Sequence, residues 1–137
     1  MRGVLVDAGP LVALINRGDA HHERCVETLK TIRDPLITVW PAFTEAIYLL
    51  GFSWTAQHAL WEMLESEGLS VASLGQEDAP RMHALMQKYR DLPMDFADAA
   101  LVRVSERDRI PRVFTLDRKH FRVYRPAGVG RFSILPS

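Results

Sequence analysis

Four acidic residues stand inside apolar runs, where a carboxylate needs a reason to be. Asp7 closes Gly3-Val4-Leu5-Val6, and Glu45 interrupts the apolar stretch from Ala42 to Leu50. Asp98 lies within Met94-Asp95-Phe96-Ala97-Asp98-Ala99-Ala100-Leu101-Val102, one turn after Asp95. Asp117 follows Val113-Phe114-Thr115-Leu116. Asp and Glu are rarely buried without a pair or a cation. No basic residue in these segments is an obvious partner, so the four acids point to one shared site for a hard cation, Mg²⁺ or Mn²⁺. Such an ion supplies a hydroxide nucleophile and offsets charge on a scissile phosphate. The chemistry that follows is metal-assisted phosphodiester hydrolysis.

The elements that must position these acids alternate. Val4–Val6 reads as a buried strand, and Pro10 suits the first turn of a helix reaching about Asn16. A second helix spans 20–33, amphipathic through Cys25, Val26, Leu29 and Ile32. Leu36–Val39 is a strand, and Pro41–Leu50 a helix stopped by Gly51. Ser53 caps a helix to about Glu67, ended by Gly68. Leu69–Leu74 is a strand, and Asp78 caps a helix to Tyr89. Asp95 caps a helix to about Arg107; Val113–Thr115 is a strand, with a helical turn over Asp117–Phe121 and a last strand at Phe132–Leu135. Strands alternating with helices predict a single domain over 1–137, a three-layer α/β/α sandwich with a mainly parallel sheet. Ligands of such sheets bind at the carboxyl ends of the strands, where Asp7 and Asp117 both fall. Asp95 and Asp98, three apart, share a helix face. Small alanines around Asp98 let that helix approach the sheet closely.

Composition sets further bounds. A chain of 137 residues buries roughly 68% of its unfolded surface and folds without a disulfide or structural metal. Cys25 is the only cysteine, which removes a disulfide framework and a Cys-based zinc site. Asp7 and Gly9-Pro10 break the first apolar stretch too early for a signal peptide. No run approaches the ~20 apolar residues of a membrane span, and the expected location is the cytoplasm. Net charge is zero, but residues 1–100 carry eight Lys/Arg against fourteen Asp/Glu, while 101–137 carry nine against three. The basic third suits a polyanion. Arg118 and Lys119, directly after Asp117, are the best candidates to contact it, with Arg103, Arg107 and Arg112 next.

Lesser candidates read as structural. His21, His22 and His120 have no second His or Cys at a zinc spacing. His120 is placed for a phosphate or a polar loop contact near Asp117, and His58 and His83 fall in amphipathic helices. Trp40, Trp54 and Trp61 are expected in core or dimer packing rather than as base-stacking platforms. A haloacid-type phosphotransferase needs a second Asp where Gly9 stands, and a receiver domain needs paired acids after its first strand.

The four acidic segments, in order, resemble the motifs of PIN-domain nucleases. These are Val4-Leu5-Val6-Asp7-Ala8-Gly9, Thr44-Glu45-Ala46, Met94-Asp95-Phe96-Ala97-Asp98-Ala99-Ala100, and Thr115-Leu116-Asp117 with His120-Phe121. The resemblance covers essentially the whole chain, and its length points to the VapC-type ribonuclease toxins of toxin–antitoxin pairs. It departs at Gly9, where many relatives carry Ser or Thr. The resemblance implies catalytic roles for Asp7, Glu45, Asp98 and Asp117. Asp7 and Asp98 would be direct ligands of Mg²⁺ or Mn²⁺, and Asp95 and Thr115 would support them. It also implies an RNA substrate, a small antitoxin partner and a homodimer. A catalytically silent PIN-like binding module is the alternative, and it would be expected to have lost one or more of the acids.

Overall fold

Three apolar runs form the middle of a sheet because both of their faces are covered. In the computed structural model, which describes residues 2–137, these are β1 (Val4–Val6), β2 (Leu36–Thr38) and β4 (Arg112–Phe114). β3 (Ser70–Val71) and β5 (Ser133–Leu135) are the edges. The strand order is β3-β2-β1-β4-β5, and every neighbouring pair is parallel. Parallel pairing requires crossovers, and helices supply them: α1 (Ala8–Ile15), α2 (His22–Thr31), α3 (Trp40–Leu49), α4 (Trp54–Glu65), α5 (Ala79–Lys88), α6 (Phe96–Asp108) and the short α7 (Arg118–Phe121).

Strand alternation divides the core in two. Val4, Val6, Leu36 and Phe114 join one cluster with α1, α2 and α4, while Leu5, Ile37 and Val113 join the other with α5 and α6. The predicted α/β/α layering follows from this division. α3 starts at the carboxyl end of β2 and packs on both α1 and α6. Its Ala42 enters one cluster, and its Phe43 and Ala46 the other. The chain runs outward from β1 to β3, then returns to β4 beside β1. The order reverses there, so a crevice opens between the carboxyl ends of β1 and β4.

α6 reaches that crevice because its first turns are small. Ala99 and Ala100 are fully buried and Ala97 nearly so. Its far end stops at Arg109, in the left-handed region at φ 56°, whose backbone N–H donates to the Ser105 carbonyl. Buried ion pairs lock α6 to α5. Arg103 Nε donates to Asp78 Oδ1 at 2.8 Å, and Arg107 lies 3.3 Å from Asp78 Oδ2. Arg81 grips Glu106 with two bonds of 2.8 and 2.7 Å, and the Ala127 N–H completes that carboxylate at 2.8 Å.

Several sequence expectations change here. Asp78 makes no side-chain cap on α5; its carboxylate turns back to the Gly75 N–H and the two arginines. α4 ends at Glu65, and Glu67, not Gly68, takes the left-handed turn at φ 66°. β3 is two residues long rather than six, since its one partner, β2, is itself only three residues long. The tryptophans are not core residues: Trp40, Trp54 and Trp61 are 52%, 69% and 38% exposed. Trp40 and Trp61 touch the buried Phe43 edge-on from outside.

Candidate active site

Of the helices that begin at the carboxyl edge, α1, α6 and α7 are each capped by an Asp. Asp7 Oδ1 accepts from the Ala8 N–H at 2.8 Å, Asp95 Oδ1 from the Asp98 N–H at 2.8 Å, and Asp117 Oδ1 from the His120 N–H at 3.2 Å. A cap uses only part of a carboxylate's acceptor capacity. The remainder of each faces the crevice, since all three line one cleft of ≈ 450 Å³ with Glu45 and Asp98. Ala8, Gly9, Leu49 and Leu116 supply its apolar walls. Capping thus explains where these three acids sit, but not why they meet.

The supporting bonds are specific. Thr115, fully buried at the end of β4, donates its hydroxyl to Asp7 Oδ2 at 2.9 Å and accepts the Asp117 N–H at 3.0 Å. One side chain therefore sets the spacing of two acids from neighbouring strands. Tyr124, also fully buried, donates its hydroxyl to Asp98 Oδ2 at 2.6 Å. His120 Nδ1 lies 2.7 Å from Asp117 Oδ2. Glu45 is exposed and stands at the solvent edge of α3 rather than inside its apolar stripe. None of the five acids has a Lys or Arg within ion-pairing reach among the described residues.

Electrostatics follows from that lack. Burial pushes the Asp98 carboxyl up to about 8; the Tyr124 hydrogen bond opposes the rise, and the charges of Asp7, Asp95 and Asp117 add to it. Burial also raises Asp7, against its bonds from Ala8 and Thr115, with Asp95 and Asp117 adding to the rise. Glu45, although its side chain reaches solvent, is raised by partial desolvation at the cleft wall and by the charges of Asp7 and Asp95. Burial and the bond to Asp98 push the Tyr124 phenol up. These carboxylates disfavour their own ionisation, and a hard cation relieves that. Asp98, Asp117 and His120 each bring one ligand atom within 4.8 Å of the others. This group differs from the Asp7–Asp98 pair expected as direct ligands. It adds His120, which the sequence weighed as a ligand and set aside for want of a second His or Cys at a zinc spacing.

Sequence reasoning missed Tyr124 altogether. It lies 26 residues beyond Asp98, outside every acidic motif, and a lone Tyr carries no spacing signal. The basic reserves also change. Arg103, Arg107 and Arg112 are tied to Asp78, Asp108 and Asp34. Arg118 donates to the Pro136 carbonyl, and Lys119 is exposed.

No family model matches the chain. A curated relative, Ribonuclease VapC26 of Mycobacterium tuberculosis, is 28% identical over 135 residues, covering 97% of this chain and all of the relative. Among solved structures, the fold is similar to M. tuberculosis VapC20, a sarcin–ricin loop cleaving toxin. The TM-score is 0.76 at 20% identity, covering 83% of this chain and 91% of that one. It is also similar to a toxin–antitoxin complex from Klebsiella pneumoniae, with TM-score 0.68, 18% identity and 92% of each chain covered. VapBC2 from Rickettsia felis, bound to a promoter DNA fragment, gives 0.64 at 11% identity, covering 96% and 98%. The resemblance first carried by four acidic motifs extends over the full length and the fold: the chain is similar in sequence to a VapC ribonuclease and in fold to VapC toxins.

Proposed function

We propose that this protein is a metal-dependent endoribonuclease, the toxin of a type II toxin–antitoxin pair. The observation that carries the reading is the convergence of Asp7, Glu45, Asp95, Asp98 and Asp117 on one cleft without a basic counter-charge. The names of its relatives support ribonuclease activity and an antitoxin partner. The donor set is all oxygen apart from one imidazole, which suits Mg²⁺ or Mn²⁺. When bound, such an ion supplies an activated water and offsets charge on the scissile phosphate.

The chain's own residues divide the work. Asp7 and Asp98 hold the ion, with Asp117 and His120 at the same opening. Glu45, at the outer edge of α3, orients the water that enters from solvent. Asp95 caps α6 and so fixes Asp98. Thr115 fixes Asp7 relative to Asp117. Tyr124 takes one oxygen of Asp98 and leaves the other for the cleft. Arg118 and Lys119 meet the RNA backbone beside Asp117. The substrate is single-stranded or loop RNA, the protein acts in the cytoplasm as a homodimer, and a small antitoxin blocks the acidic cleft. Among the described residues, no helix is long and apolar enough to cross a membrane.

The test is cleavage of RNA by purified protein with Mg²⁺, with Mn²⁺ and with excess EDTA. Activity is expected with either ion and none with EDTA. Asp7→Asn and Asp98→Asn are expected to lose cleavage by at least about a hundredfold while keeping the wild-type circular dichroism spectrum. Full activity in EDTA overturns the mechanism.

A further inference from the structure

The structure sorts the nine Lys and Arg residues of 101–137 into three groups. Arg103, Arg107 and Arg112 are ion-paired. Arg109, Arg118 and Arg125 donate only to backbone carbonyls, so their charge is uncompensated. Lys119, Arg122 and Arg131 have neither an ion pair nor a side-chain hydrogen bond among the described residues. Three uncompensated guanidinium groups, those of Arg118, Arg122 and Arg131, converge on one pocket of ≈ 280 Å³ beside Phe132 and Ile134.

The arginines are mounted on fixed supports. Arg118 opens α7 and Arg122 closes it, so they are about one helical turn apart, ~6 Å along the axis. Between them Phe121 is fully buried, its ring 5.4 Å from that of Phe132. Phe132 in turn anchors Arg131, which follows Gly130 at φ +93°. The Pro136 carbonyl orients the Arg118 guanidinium. Gathering three like charges without an acid is unfavourable unless an anion joins them. Guanidinium forks fit phosphate oxygens in pairs. Arg118 also directly follows Asp117, so α7 runs from the acidic cleft to this pocket.

We propose that the Arg118–Arg122–Arg131 pocket is a phosphate-binding subsite that holds the backbone of the RNA strand as it leaves the acidic cleft. This rests on the nuclease reading above and deepens it. It moves the outer RNA path away from Arg103, Arg107 and Arg112, whose charges are spent inside the protein.

The experiment measures binding of labelled single-stranded RNA to the full chain in EDTA, by fluorescence anisotropy across a potassium chloride series. Wild type is compared with the Arg122→Ala/Arg131→Ala double variant, whose side chains are exposed and whose folding is checked by circular dichroism. The double variant is expected to bind more weakly, and its log Kd–log salt slope to fall by about 1.4, about 0.7 for each phosphate no longer neutralised. Arg122→Lys/Arg131→Lys should restore the slope but not the full affinity. The losses should be equal for RNA with a 5′-hydroxyl and a 5′-phosphate; a loss confined to the phosphorylated end overturns the backbone assignment. An unchanged slope in the folded double variant overturns the subsite, and the nuclease reading survives if wild type still cleaves RNA with Mg²⁺. Wild type that neither binds nor cleaves RNA overturns both. A double variant that keeps the RNA slope but loses binding to polyglutamate overturns RNA in favour of an acidic protein segment.

Discussion

Asp98 concentrates the tension of the site in one side chain. It is 6% exposed, takes a 2.6 Å bond from Tyr124, and faces three other carboxylates. Its pKa is raised from 3.8 to about 8, so between those values the folded chain holds a proton that the unfolded chain releases. A folded state that binds more protons loses stability as pH rises. Metal-free protein should therefore become less stable from about pH 4 to about pH 8, with the loss complete above the folded value. Asp78 and Glu106 act in the opposite sense. Arg103 and the Gly75 N–H hold Asp78 low; Glu106, which burial alone would raise, is held low by Arg81 and Ala127. Their stabilising contributions are present above the usual carboxylate pKa and lost in acid, below the window where Asp98 acts. In EDTA, the melting temperature of wild type should fall by at least about 5 °C between pH 5 and pH 8, and that of Asp98→Asn should fall much less. Parallel curves for the two proteins would show that Asp98 ionises freely in the fold.

At the scale of the element, the site depends on how α6 is held. Its N-terminus carries Asp98 into the cleft, and its middle is pinned by Asp78 and Glu106, both almost fully buried. Removing one member of a buried pair leaves an uncompensated charge. Asp78→Ala is thus expected to destabilise the chain by about 3 kcal/mol in urea unfolding, whereas Asp34→Ala, whose partners Arg2 and Arg112 are more exposed, should cost under about 1 kcal/mol. Equal costs would deny the clamp its role. None of this was legible in the chain. Arg103 and Arg107 read as spare cations because their partner lies 25 and 29 residues away, and Asp78 read as a helix cap. Local signals fared better. Val4–Val6, the Asp95 cap, the alanines beside Asp98 and the Ser53 cap stand where their chemistry put them, within a residue or two. For the tryptophans, expected in core or dimer packing, the exposure of Trp40 and Trp54 excludes the core alone, because hydrophobicity reports what a side chain prefers and not which surface covers it. Gly9, the one departure from the motif, has room for a side chain, since an added Cβ would meet Leu116 atoms at 3.4–3.6 Å.

At the scale of the whole molecule, zero net charge conceals a separation: carboxylates gather in one cleft, and free guanidinium groups gather beside it. An RNA strand, as a polyanion, would be attracted by the second and repelled by the first. On the proposed reading the two oppose each other without metal, so wild type is expected to bind RNA less tightly than its basic pocket alone would allow. A divalent ion bound in the cleft would offset the repulsion. Asp95→Asn isolates this effect. Asparagine caps a helix about as well as aspartate, and residue 95 is exposed, so the fold and the position of Asp98 are retained. The substitution removes one negative charge from the cleft wall and none from the pocket. In EDTA at low salt, Asp95→Asn is expected to bind single-stranded RNA more tightly than wild type, by roughly two- to fivefold for a pair of partly screened charges. The gap should narrow as salt rises, and again when Mg²⁺ occupies the cleft of both proteins. Anisotropy titrations under the three conditions measure it. Weaker metal-free binding by Asp95→Asn would mean that the RNA does not pass the acidic cleft at all.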